Sequence, residues 1–136
     1  MSHDLTFDTL HEYGTSDEGI TVPVTLSIGE VSIGFVARVD TGSTFCIFER
    51  GYAEMLGIET EAGLLTHIGT VTGGFDAYGH TLTLTTLGYS FDVMVYFAKE
   101  ESFKRNVLGR RGWLDQVRLA VVEYEGKLFV SKYGDE

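Results

Sequence analysis

Apolar residues recur at every second position along several stretches of the chain, the spacing that turns one face of a strand to a core and the other to solvent. Residues 20–28 (Ile-Thr-Val-Pro-Val-Thr-Leu-Ser-Ile) alternate in this way. Gly29-Glu30 forms a two-residue connection to a returning strand over 31–39. Pro23 has no N–H to give a ladder, which restricts it to an edge or a strand start. Residues 45–48 read as a short apolar strand and 49–56 as a short helix that Gly57 stops. Residues 64–71 and 75–85 are extended and flank Thr72-Gly73-Gly74, which predicts a long hairpin turning on the glycines. Residues 89–98 alternate again, with Phe91, Val93, Val95 and Phe97 against Asp92, Met94 and Tyr96. A charged loop over 99–105, a helical turn over 110–115 and two strands over 117–124 and 127–132, joined at Glu125-Gly126, complete the expected chain. Residues 1–18 are polar and acidic and read as a frayed arm or an added edge strand, which leaves 19–133 as one domain.

Composition sharpens this picture. A length of 136 residues supports one modest core. One proline, 17 glycines and many Thr, Val, Phe and Tyr residues favour strands and turns over helix, so the fold class expected is mainly β with one or two short helices. A formal net charge of −10 repels phosphate backbones and argues against nucleic acid as a partner. No apolar run is long enough to span a bilayer, so no membrane partner is expected, and residues 1–19 lack the apolar stretch of a secretory signal. Cys46 has no second cysteine to pair with, and no Cys/His cluster has zinc spacing. The expectation is a cytoplasmic protein with a reduced thiol and neither metal nor cofactor.

The candidate chemistry lies in Asp40-Thr41-Gly42-Ser43, directly after the strand over 31–39. Asp-Thr-Gly by itself often does no more than cap a turn. Its setting is more specific: a hairpin leads into it, Gly73-Gly74 marks a later hairpin tip, and Val107-Leu108-Gly109 follows.

With these features in this order, residues 20–131 resemble the retropepsin-like aspartic peptidases, which include retroviral proteases and bacterial relatives. The resemblance implies a retropepsin-like acid-protease half-barrel that hydrolyses peptide bonds with a water activated by paired carboxylates. Asp40 is the one such carboxylate in the chain, so the partner implied is a second copy, in a homodimer. Thr41 would bond across the dimer axis, the Gly42 N–H would hold the carboxylates coplanar, and Ser43 would donate to the outer carboxylate oxygen. That last bond would favour the ionised form and lower the pH optimum relative to an alanine at this position. Thr72, Gly73, Gly74 and Phe75 resemble the flap that closes over an extended polypeptide. Val107, Leu108 and Gly109 resemble the element packed beneath the catalytic loop. Arg38 stands where the family usually has an apolar residue facing the cleft, and there it would favour acidic or polar substrate side chains or pair with an acid of its own dimer.

The remaining candidates have plainer readings. Cys46 fits a small core residue, and Trp113 fits a side chain packing a helical turn on the sheet. His3, His11, His67 and His80 show no ligand spacing. Arg110 and Arg111 fit surface pairing with acids, with Arg110 also placed to brace a dimer. Two further functions are compatible with the motif: a dimer that binds a peptide strand without cutting it, and a plain dimerisation module.

Overall fold

The computed structural model describes residues 1–134. Strand β1 (Thr9–Glu12) is followed by the hairpin of β2 (Thr21–Ile28) and β3 (Val31–Val39), paired from Thr21↔Arg38 to Ile28↔Val31. The alternation read in the sequence is visible in the burial: Val22, Val24 and Leu26 face inward, and Pro23 between them is exposed. Gly29 takes a left-handed φ of +57° at the turn, which a side chain would resist.

Strand β4 (Ile47–Phe48) leads into helix α1 (Arg50–Met55). Gly57 ends the helix as expected, with φ +75°. Its N–H donates to Glu54 O at 3.0 Å and the Ile58 N–H donates to Ala53 O at 2.9 Å, a Schellman arrangement that satisfies the last carbonyls.

The hairpin of β5 (Leu64–Thr70) and β6 (Gly73–Thr86) turns one position earlier than the glycine pair predicts. Thr70 pairs with Gly73, so Val71 and Thr72 form the turn and Gly73-Gly74 begin β6. Gly73 supplies a φ of +138° at the exit, where the chain re-enters the ladder. The glycines are thus read correctly as a conformational need and placed wrongly as the tip.

After β7 (Tyr89–Ala98) and β8 (Val107–Leu108), the helical turn expected over 110–115 is absent. Arg111 makes a bridge to Phe45, Gly112 adopts φ +106°, and only Leu114–Gln116 winds into a 3₁₀ turn. A left-handed residue at Gly112 breaks the run of right-handed dihedrals a helix requires. Strands β9 (Val117–Val122) and β10 (Lys127–Lys132) close the chain.

The strands run β2-β3-β8-β4-β7-β6, and β6 returns to β2 through Thr25↔Thr85 and Ser27↔Thr83, closing a ring from which β5 projects. The interior is filled by Leu26, Phe48, Leu84, Phe97, Leu108 and Trp113. Each buried phenylalanine or leucine contributes about 2–3 kcal/mol. A second sheet, ordered β1-β10-β9, packs Leu128 and Val130 into the same core. Residues 9–12 are therefore an edge strand and not a frayed arm: β1 pairs with β10 from Thr9↔Val130 to Glu12↔Lys127. No helix among the described residues is long and apolar enough to cross a membrane.

Candidate active site

Asp40 stands where β3 leaves the ring. The Arg38 N–H donates to Asn106 O and the Asp40 N–H to Leu108 O, each at 2.9 Å, so the end of β3 is zipped in parallel to β8. The chain then turns sharply, with the Ser43 N–H on Asp40 O at 3.1 Å. The Gly42 N–H donates to Asp40 Oδ1 at 2.9 Å and fixes the plane of the half-buried carboxylate. A Cβ on Gly42 would press to 3.2 Å from that oxygen, so the small residue keeps the loop tight. No other hydrogen bond or ion pair reaches the Asp40 carboxylate among the described residues.

The loop is held from beneath by the segment after β8. Arg110 and Arg111 donate their N–H groups to Ser43 O and Thr44 O, both at 2.8 Å. Gly109 is pressed against this loop: a Cβ there would overlap the Phe45 carbonyl oxygen and stand 2.7 Å from Ser43 O. Val107 and Leu108 are buried, Leu108 completely. The sequence-predicted packing element thus lies directly under the Asp40 loop. Cys46 belongs to the same layer, with its Sγ accepting the Gly109 N–H at 3.3 Å. Burial pushes its thiol up to about 12, which removes it as a nucleophile at neutral pH.

One neighbour of Asp40 differs from expectation. The Ser43 hydroxyl has one proton to donate, and it goes to Phe45 O at 2.7 Å rather than to the carboxylate. The lowered pH optimum expected from Ser43 therefore loses its physical basis. Ser43→Ala is expected to cost about 1 kcal/mol of stability through the lost loop bond and to leave the pH dependence of any activity unchanged. Chemical denaturation and a pH–rate profile of the variant check both halves. Thr41 is exposed in the single chain, and it borders an open depression of about 520 Å³ with Arg110, Arg111, Leu114 and Asp115. Neither arginine forms an ion pair among the described residues; Arg111 lies 6.0 Å over the Phe45 ring.

Thr72, Gly73 and Gly74 are exposed at the end of the β5–β6 hairpin, and Phe75 is half-buried. The missing side chain of Gly74 leaves room for His67, whose Nδ1 lies 2.9 Å from Asp76 Oδ1. Phe75 packs on Phe103 with ring centroids 4.7 Å apart, and the Lys99 N–H donates to Asp76 O at 2.9 Å. The hairpin is therefore fastened at its root to the 99–105 loop while its tip projects. Val71 is fully exposed at that tip, an apolar residue the sequence reading passed over in favour of the glycines.

Arg38 is exposed on the outer face of β3 and pairs with no acid among the described residues. Its side chain lies across Gly19, where a Cβ would come within 2.8 Å of both Cδ and Nε. It lines a cavity of about 210 Å³ that Lys104 and Arg105 also line. The sequence analysis assigned these two residues only to a charged loop. Nothing in the local pattern shows that β8 would bring them beside Arg38.

No protein-family model matches the sequence, and no curated protein matches it. Solved structures do match in three dimensions. The EIAV protease, determined with an inhibitor bound, aligns at a TM-score of 0.56 and 18% identity, over 72% of this chain and 88% of its own. A retropepsin-like aspartic protease from Rickettsia conorii aligns at 0.57 and 19% identity, over 82% of this chain and 89% of its own. The chain therefore has the retropepsin-like fold, reached with little sequence in common.

Proposed function

We propose that this protein is an aspartic endopeptidase that works as a homodimer, each chain supplying Asp40. The observation that carries this reading is the state of the Asp40 carboxylate: one oxygen is held by the Gly42 N–H, and no other hydrogen bond or ion pair reaches the group among the described residues. Carboxylate-catalysed peptide hydrolysis needs a base for the water and an acid for the carbonyl or leaving amine. Two close carboxylates divide these tasks by sharing one proton, the known behaviour of aspartic-protease dyads. The chain carries a single Asp-Thr-Gly, so the second carboxylate comes from a second copy across a two-fold axis.

In this reading residues 19–133 form the peptidase domain and residues 1–18 an N-terminal arm. Thr41, exposed beside Asp40, faces the partner loop. Gly42 orients the carboxylate, and Ser43 holds the loop through Phe45 O. Val107, Leu108 and Gly109 brace it from below. The hairpin carrying Thr72, Gly73, Gly74 and Phe75 acts as the flap, pairing its backbone with an extended substrate and excluding water on closure. Val71 gives that flap an apolar contact at its tip. Strand β10 is flanked on both sides by β1 and β9, so only the outer edges of that sheet, β1 and β9, remain to extend it across a dimer.

Activity that requires two chains falls with dilution. Cleavage of a polypeptide substrate, expressed per chain, is expected to drop once the concentration passes below the dimer dissociation constant. Activity measured over a dilution series alongside sedimentation checks this. Constant activity per chain across a range where the protein sediments as monomer refutes the dimeric mechanism.

A further inference from the structure

The cavity beside Arg38 has the construction of a side-chain subsite, and its position follows from the strand that carries Asp40. Arg38 lies near the end of β3, and Asp40 follows the strand two residues later, about 7 Å along an extended chain. A peptide lying extended above Asp40 advances about 3.4 Å per residue. The residue next to the bond at Asp40 then has its side chain within reach of Arg38.

Three cations line this space. Arg38 lines it, and the register Arg38↔Val107 brings Lys104 and Arg105 to line it as well. Neither arginine has an acidic partner among the described residues, and Lys104 reaches only Glu49, at 4.0 Å. No acid lines the cavity, although the chain has 20 acidic residues against 10 basic ones. The backbone that carries two of these cations is also anchored. Asn106 and Glu49 bond reciprocally, Nδ2 to Oε2 at 2.7 Å and the Glu49 N–H to Asn106 Oδ1 at 3.1 Å, which anchors the segment bearing Lys104 and Arg105 to the start of α1. Gly19, at φ +127°, gives the Arg38 stem a bare stretch of backbone to lie on. Val36 and Val107 supply apolar surface for a methylene stem. At about 210 Å³ the cavity has room for one side chain.

We infer that this cavity is a subsite for an acidic side chain, and that the protein cleaves next to aspartate or glutamate in its polypeptide substrates. The inference rests on the peptidase reading for the word "cleaves" and on the cavity alone for the preference. A guanidinium presents parallel N–H donors that match a carboxylate, and a second cation lining the same cavity leaves a neutral amide the poorer ligand. A patch of this kind also gives an acidic substrate a place to approach a protein whose overall charge would repel it.

The test uses matched peptides carrying Glu, Gln, Leu or Lys beside a single scissile bond, at about pH 5, where side-chain carboxylates are ionised. Glu is expected to exceed Gln by about tenfold or more in kcat/KM. Arg38→Glu and Arg105→Glu are expected to invert the preference towards Lys, and the milder Arg38→Gln to erase the advantage of Glu over Gln. Circular dichroism of each variant establishes that it is folded, and Arg38→Gln stands in if a charge reversal is not. Equal cleavage of Glu and Gln peptides overturns the subsite, as does a Glu preference that survives both substitutions. A second measurement separates the subsite from the peptidase reading: binding of the same labelled peptides to Asp40→Asn protein. Tighter binding of Glu peptides that Arg38→Gln abolishes, with no cleavage by the unaltered protein, leaves the subsite standing and removes the peptidase. Equal binding of all four peptides overturns the subsite whatever the cleavage result.

Discussion

Asp40→Asn is expected to lower kcat/KM for peptide cleavage by about a thousandfold or more, the scale of a lost general acid–base pair, with no change in thermal stability. Asparagine keeps the oxygen that accepts the Gly42 N–H at 2.9 Å, so the loop has no reason to rearrange. What it removes is the group that takes a proton from water and returns one. The substitution also tests the two-chain requirement. Unaltered protein mixed with an equal amount of Asp40→Asn, after exchange of subunits, forms mixed dimers with one carboxylate each. Random pairing then leaves about half the activity of the same unaltered protein alone. An undiminished rate in the mixture means that each chain works by itself, and an Asp40→Asn protein that still cuts removes the catalytic role of Asp40. Retained peptide binding with no cutting by either protein would instead favour the peptide-binding dimer.

Gly109→Ala is expected to cost about 3 kcal/mol or more, at the upper end of what forced overpacking costs, and to abolish cleavage with it. The clash is with backbone: the new Cβ meets the carbonyl of Phe45 and stands 2.7 Å from Ser43 O. Neither atom can turn aside, because Ser43 O already accepts the Arg110 N–H at 2.8 Å and Phe45 O accepts the Ser43 hydroxyl at 2.7 Å. Relief would have to come from lifting the Asp40 loop off β8, which moves the carboxylate. Against a total stability of about 5–15 kcal/mol for a domain of this size, urea unfolding should show a midpoint lower by about 1–2 M. Gly69→Ala is the control. Gly69 has open space around its Cβ position and no left-handed φ, so alanine there should leave stability nearly unchanged. A Gly109→Ala midpoint as high as that of the control would mean that the contact beneath the loop is not rigid.

Much of the fold was legible from local pattern. The strand over 89–98 forms over the residues where period two predicts it, and the returning strand over 31–39 forms where the two-residue connection predicts it, because alternation reports directly which side chains can share a buried face. Gly57 ended its helix because a left-handed residue there satisfies carbonyls whatever surrounds it. The readings that needed revision turned on which partner a group found. Ser43 found a nearer acceptor in Phe45 O. The 110–115 turn became a bridge to Phe45 because that segment must underlie the Asp40 loop. Residues 9–12 needed no revision: they form the edge strand that was one of the two readings of this segment, because β10 offers an open edge to pair with.

The amino-acid sequence alone determined that the chain is mostly strand and that Asp40 follows an apolar strand into a tight loop. These follow from short-range sterics and from burial periodicity, which act between near neighbours. Only the tertiary structure decided that β8 lies parallel to β3, and with it that Gly109 touches the Asp40 loop and that Lys104 and Arg105 line one cavity with Arg38. Pairing between distant segments is chosen by how the whole core packs and how every backbone donor finds an acceptor, a condition no local stretch of sequence carries by itself.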